Sequence, residues 1–272
     1  MIKHPKLINL SLPKTSSSSL GEFCNQFCFA THEAWHSDMT TAIRKNQLGL
    51  YPDESLRNFY IFRNTFFQHD VDSATFNHFV MDDIFTIFPN SAYIYIFRDA
   101  CSWIASMLNM WHSFKGIHEQ RLKDEDAKAI EDSIEWIEWI NEYSTLYSSK
   151  LTDNFWDLSN NDISSSYLKY LVLDLMNFWI QLSKKILNAK QTNNNLYIIS
   201  LSSSNEIPEL LKIILNSKEN FESMNYPSSN QCAISRQDPN HLTAKKISDI
   251  VPVELLNQSK SIYTELLNSM GK

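Results

Sequence analysis

Glycine is scarce in this chain of 272 residues: only Gly21, Gly49, Gly116 and Gly271 occur. Neither a Walker A loop nor a Rossmann G-x-G-x-x-G can be written with them, which argues against an ATPase, a GTPase or a nicotinamide enzyme of the usual kind. Basic residues are also in deficit, 24 against 31 acidic, for a net charge of −7. No Lys/Arg cluster offsets this, so nucleic acid is not an expected partner. A few placed cations could still hold a small anion. The four cysteines, Cys24, Cys28, Cys101 and Cys232, form no C-x-x-C pair, so a cysteine zinc site is not expected and free thiols fit a reducing cytoplasm. Long apolar runs are missing too. Leu7–Leu12 is too short for a signal-peptide core, and Tyr170–Leu182 is broken by Asp174 and Asn177, so no membrane partner is expected.

What is present is a chain 43% hydrophobic and 12% aromatic, enough to bury a sizeable core. Short apolar runs at Leu7–Leu12, Ala92–Phe97 and Leu196–Leu201 read as strands, with Phe27–Ala30 as a possible fourth. Helical patterns follow them. Lys123–Tyr147, Tyr167–Leu187 and Val253–Met270 read as helices. Strands alternating with long helices predict an α/β fold, a single domain with a central parallel β-sheet flanked by helices. A helical insertion is expected at about 114–166.

The segment KLINLSLPKTSSSSL, Lys6–Leu20, is the richest in chemistry. An apolar strand stops at Pro13. Lys14 follows, then five hydroxyl residues, Thr15, Ser16, Ser17, Ser18 and Ser19, before a helical pattern opens at Leu20. A hydroxyl-rich turn into a helix N-terminus suits a phosphate-like or sulfate-like ligand. A Ser-rich turn also arises where serine merely caps a helix. The strand AYIYIF ends at Arg98-Asp99, and Ser106 follows eight residues after Arg98. A cation at a strand's carboxyl end points into the crevice where open α/β sheets bind ligands. A strand-end arginine can equally serve a salt bridge.

Together these motifs resemble those of sulfotransferases that use 3′-phosphoadenosine 5′-phosphosulfate (PAPS). PKTSSSSL resembles the P-K-T-G-T-T-S-L loop of that family, and FPNSAYIYIFRDACSWIASML resembles its F-P-x-A-x-x-I-x-x-x-R-D-x-x-S-W-x-x-S segment. IVPVELLNQSKSIYTELLNSMG resembles its closing helix. The resemblance implies the sulfotransferase, P-loop-like fold, with PAPS as donor and 3′,5′-adenosine bisphosphate (PAP) as product. It implies that Lys14, Thr15, Ser16, Ser17, Ser18 and Ser19 hold the 5′-phosphosulfate, Lys14 near the bridging oxygen, while Arg98 and Ser106 hold the 3′-phosphate. The family's loop glycine is Ser16 here. The R-K-G-x-x-G-D-W-K segment of the animal cytosolic branch is absent, with Arg236 as a possible substitute cation, and the chain looks closer to the bacterial branch.

Sulfuryl transfer needs a base for the acceptor's proton. Thr31-His32-Glu33-Ala34-Trp35-His36 offers Glu33, with His32 and His36 as alternatives. Trp35, His69, Asp70, Trp111 and His112 are expected near the acceptor, with Asp38, Asp72 and the Glu135–Tyr143 helix. Carboxylates beside indole faces suit a small, nitrogen-rich acceptor such as a saxitoxin-type guanidinium alkaloid. The same acids and tryptophans also fit a solvated face and an ordinary core. Two other readings remain open. His32-Glu33-Ala34-Trp35-His36 spells the H-E-x-x-H of zinc hydrolases, with Glu54 as a third ligand, although that motif belongs inside a helix. A non-catalytic nucleotide-binding protein of the same fold is the other.

Overall fold

The computed structural model describes residues 3–123 (backbone alone for 114–123), 142–148, 166–216 and 241–270. The chain divides into two compact units. The first comprises residues 1–98, 182–230 and 262–272; the second comprises 99–181 and 231–261.

The first unit holds a parallel sheet of five strands: β1 (Leu7–Asn9), β2 (Ala30–Thr31), β3 (Val71–Asp72), β4 (Ala92–Phe97) and β5 (Leu196–Ser200). Their spatial order is β2-β3-β1-β4-β5. β1 thus lies between β3 and β4, with Leu7 opposite both Val71 and Ala92. The alternation of AYIYIF explains β4. Ile94 and Ile96 join a core with Leu20 and Phe23 of α1 (Ser17–Cys24) and with Ile207 and Leu211 of a helix at Ile207–Leu215. On the opposite face, the Tyr93 ring packs edge-on against Phe85, and the Tyr95 hydroxyl meets Ser183 Oγ at 3.3 Å. Side chains two apart share a face, so one strand serves two cores. α2 (His36–Gln47), α3 (Asp53–Phe67) and α4 (Met81–Ile87) connect the strands.

The chain runs from β1 outward to β2, while from β4 it runs the other way to β5. The connections therefore diverge between β1 and β4. In open parallel sheets the crevice beyond the carboxyl ends at such a point receives ligands. The segments that leave β1 and β4 begin at Leu10 and Arg98.

The second unit is helical among the described residues. α5 (Ala100–Lys123) opens at Asp99, whose Oδ1 accepts from Ser102 N at 2.8 Å. α6 (Ser166–Thr192) begins here, and Leu168, Leu171, Val172, Leu175 and Trp179 form its buried stripe. Asn109 of α5 clamps the backbone of Leu242, donating to its carbonyl at 2.8 Å and accepting from its N–H at 2.9 Å. The helix at Ile207–Leu215 is α7; Ala244–Ile250 and Val253–Asn268 are α8 and α9.

Several expected boundaries shift. β1 ends at Asn9 rather than Leu12, because Pro13 turns the chain and the Ser11 hydroxyl, not a backbone carbonyl, accepts from Ile96 N. Phe27 and Cys28 lie in the turn after α1, so the second strand is Ala30–Thr31 instead of Phe27–Ala30. α6 runs five residues past Leu187. Residues 124–141 of the expected Lys123–Tyr147 helix, and most of the expected insertion at about 114–166, lie outside the described residues. No helix among the described residues is long and apolar enough to cross a membrane.

Candidate functional site

The loop after β1 is built by backbone conformation. Lys14 (φ 63°) and Ser16 (φ 81°) both adopt the left-handed region, where a β-carbon is disfavoured. Thr15 Oγ1 donates back to Leu12 O and closes the turn. Ser16 precedes α1 without capping it by its side chain. Leu20 N donates to Ser16 O at 2.9 Å, so the N–H groups of Ser17, Ser18 and Ser19 have no acceptor within the helix. Thr15, Ser16, Ser17 and Ser19 are buried, and Lys14 and Ser18 are half-exposed. Left-handed turns that lead into a helix N-terminus suit an anion.

The loops after β2 and β3 are joined to this turn residue by residue. Ser73 N donates to Thr31 O at 2.9 Å, and Ser73 Oγ donates to Ser17 O. His32 Nδ1 lies 3.2 Å from Ser73 O, and its Nε2 lies 3.0 Å from Ser18 Oγ. A carbonyl only accepts, so Nδ1 carries a proton. Gly21 allows the close approach: a β-carbon there would meet His32 Cβ at 3.2 Å and Ser73 Cβ at 3.5 Å.

Glu33 takes the left-handed region too, at φ 55°. Its Oε1 accepts from Thr75 N at 2.9 Å and from Thr75 Oγ1. Oε2 is buried and has no hydrogen-bond partner among the described residues. The carboxylate is thus held by one oxygen with the other uncommitted.

A buried ion pair lies under this loop. Arg63 of α3 donates to both Asp72 oxygens, Nη1 to Oδ2 at 2.6 Å and Nη2 to Oδ1 at 3.0 Å, while its Nε donates to Ala34 O at 2.8 Å. Tyr60 OH lies 3.0 Å from Asp72 Oδ2, and Ala74 N donates to Oδ1 at 3.2 Å. Burial opposes ionisation of Asp72. The charges of Arg63 and His69 and the bonds from Arg63 and Ala74 outweigh it and hold the carboxyl well below the usual range. His69 is buried, with Nδ1 2.9 Å from Thr31 Oγ1 and Nε2 2.7 Å from Asn64 Oδ1. Burial pushes its pKa down. Sequence reasoning missed Arg63 and Tyr60, because an arginine on a helix reads as solvent-facing.

The remaining expected site residues fall as follows. Arg98 directly follows β4 and is half-buried. Ser106 and His112 are half-buried on α5 in the second unit, where the Trp111 indole is wholly buried. Asp70 forms ion pairs with Lys3 at 3.2 Å and Lys6 at 3.5 Å. Trp35 packs against Phe59, Phe62, Phe66 and Phe67. His36 is the first residue of α2. Asp38 is exposed in the first turn of α2, and Asp72 is the buried partner of Arg63. Arg236 and residues 135–141 lie outside the described residues.

The H-E-x-x-H spelling is not helical. β2 ends at Thr31, α2 begins at His36, and both Glu33 and Trp35 (φ 54°) have left-handed backbone. The two histidines therefore do not share a helix face. Among the described residues no group of three or more His, Cys, Asp or Glu side chains could hold a metal ion. No family model matches the chain, and no curated protein matches it.

Proposed function

We propose that this protein transfers a sulfuryl group from PAPS to a hydroxyl or amino group of a small-molecule acceptor. The observation that carries the reading is the union of three strand ends. An anion-binding turn with Lys14 is tied through Ser18 and Ser73 to His32, beside Glu33 with one uncommitted oxygen. The likeness of PKTSSSSL and FRDACSW to the family's motifs supports it. So does Ser16, whose left-handed backbone is what the family's glycine would favour. The sulfotransferase fold is part of the proposal. The five-stranded parallel sheet is compatible with it.

The residues present fit an anionic phosphosulfate: left-handed turns, a helix N-terminus and a lysine. PAPS supplies an activated sulfuryl group and a phosphate leaving group. Lys14 and the Ser17–Ser19 N–H groups would stabilise negative charge that grows in the turn. Glu33, oriented by Thr75, would take the acceptor's proton on Oε2. His32 would hold the Ser18 hydroxyl in place and keep Glu33's neighbourhood ordered. Arg98 is proposed as a 3′-phosphate ligand. Assay with labelled PAPS and a panel of hydroxyl, amine and guanidinium acceptors tests the reading. Label transfer that is lost in Lys14→Ala supports it. Absence of transfer to every acceptor, together with no binding of the donor, refutes it.

A further inference from the structure

Cys24 and Cys28 are absorbed by no part of this chemistry. Cys24 is the last residue of α1 and is wholly buried; Cys28 is half-exposed. One α-type turn joins them, with Cys28 N donating to Cys24 O at 2.9 Å. Cys28 Sγ also donates to that carbonyl, at 3.4 Å, so its side chain folds back over the turn. A turn closed by an i→i−4 hydrogen bond holds its end Cα atoms about 6 Å apart, within disulfide range.

The two thiols are not alike. Hydrogen bonding with Cys24 draws the Cys28 thiol below its ordinary value; burial and Asp70 oppose this, and Lys6 and Lys3 assist it. Cys24, hydrogen-bonded to Cys28 and buried, is pushed far up. A half-exposed cysteine one turn from a wholly buried one is the arrangement of an attacking and a resolving cysteine.

We propose that Cys24 and Cys28 form a peroxide-oxidisable thiol pair that closes to an intrachain disulfide. The Cys28 thiolate attacks hydrogen peroxide. The S–O bond forms, the O–O bond breaks, and hydroxide leaves as water after taking a proton. Cys24 sulfur then attacks Cys28 sulfur, forming S–S and expelling the hydroxyl, which takes the Cys24 proton. Two thiols and one peroxide give one disulfide and two waters.

The test treats the full chain with hydrogen peroxide, then counts thiols and maps peptides by mass. The expected result is loss of two thiols per chain and a Cys24–Cys28 bond reversed by dithiothreitol. Cys24→Ser should stop at a sulfenic acid on Cys28 that dimedone traps. Cys28→Ser, a change at a half-exposed position, should abolish the loss of both thiols. Over-oxidation of Cys28 with Cys24 intact, or a bond from either to Cys101 or Cys232, would overturn the proposal.

Discussion

Ser16 concentrates the physical argument at the residue scale. A serine at φ 81° carries left-handed strain of about 1–2 kcal/mol. Ser16→Gly should therefore fold with an unchanged or higher melting temperature, and Ser16→Val should lower it; calorimetric scans of the three proteins check this. A large loss of stability in Ser16→Gly would mean that the hydroxyl matters more than the backbone. The proposed transfer rests on Lys14 and Glu33. Lys14→Ala and Glu33→Gln should each lower kcat about a hundredfold or more. Glu33→Gln should leave donor affinity nearly unchanged, because Oε1 is tied to Thr75 rather than to the anion-binding turn. Full turnover in Glu33→Gln would move the base to His32 or His36. Lys14, Ser16 and Glu33 were singled out in the sequence as candidates by type and spacing. Their left-handed backbones were not, since local residue type does not set φ when three loops are tied together. His69 was read as a site residue, yet its two ring nitrogens serve Thr31 and Asn64. Nothing in the local sequence separates those two uses of a histidine.

The elements show why boundaries were harder to read than types. β4 and β5 are long enough for their apolar pattern to show, and they appear where the sequence placed them. β2 and β3 are two residues each, too short for any period, and exist through pairing with their neighbours. The Arg63–Asp72 pair binds α3 to β3 and the Ala34 loop. Removing one partner leaves a buried charge, so Arg63→Met should cost about 3–5 kcal/mol of unfolding free energy. Denaturant melts read it, and a double variant with Asp72→Leu should recover part of the loss. Little change in Arg63→Met alone would show that the pair is not buried in solution. Acid should act on the same elements. Burial, opposed by bonds with Thr75 and Ser11, pushes His78 down to about 3, and burial also lowers His69. The unfolded chain then binds protons that the native state does not, so stability rises with pH. It should be complete above about 6.5, the ordinary histidine value, and fall as pH drops toward 3. Asp72, held down, adds a further loss below about 4. Unfolding midpoints across pH 3–8 measure this, and a flat profile between 6.5 and 4 would contradict the burial of both histidines.

On the scale of the whole molecule, the sheet order sets where the crevice typical of open parallel sheets lies. Chain connections diverge between β1 and β4, and the residues leaving those strands are the Lys14 turn and Arg98. The α/β class with a parallel sheet was readable from the alternation of apolar runs and helical patterns. The order of strands was not, because sequence separation does not say which strand lies beside β1. The most direct test is isothermal titration calorimetry of the full chain with 3′,5′-adenosine bisphosphate. The account predicts micromolar-range binding, a melting temperature that rises with ligand concentration, and strong weakening in both Arg98→Ala and Lys14→Ala. No heat and no thermal shift at millimolar ligand would contradict the account.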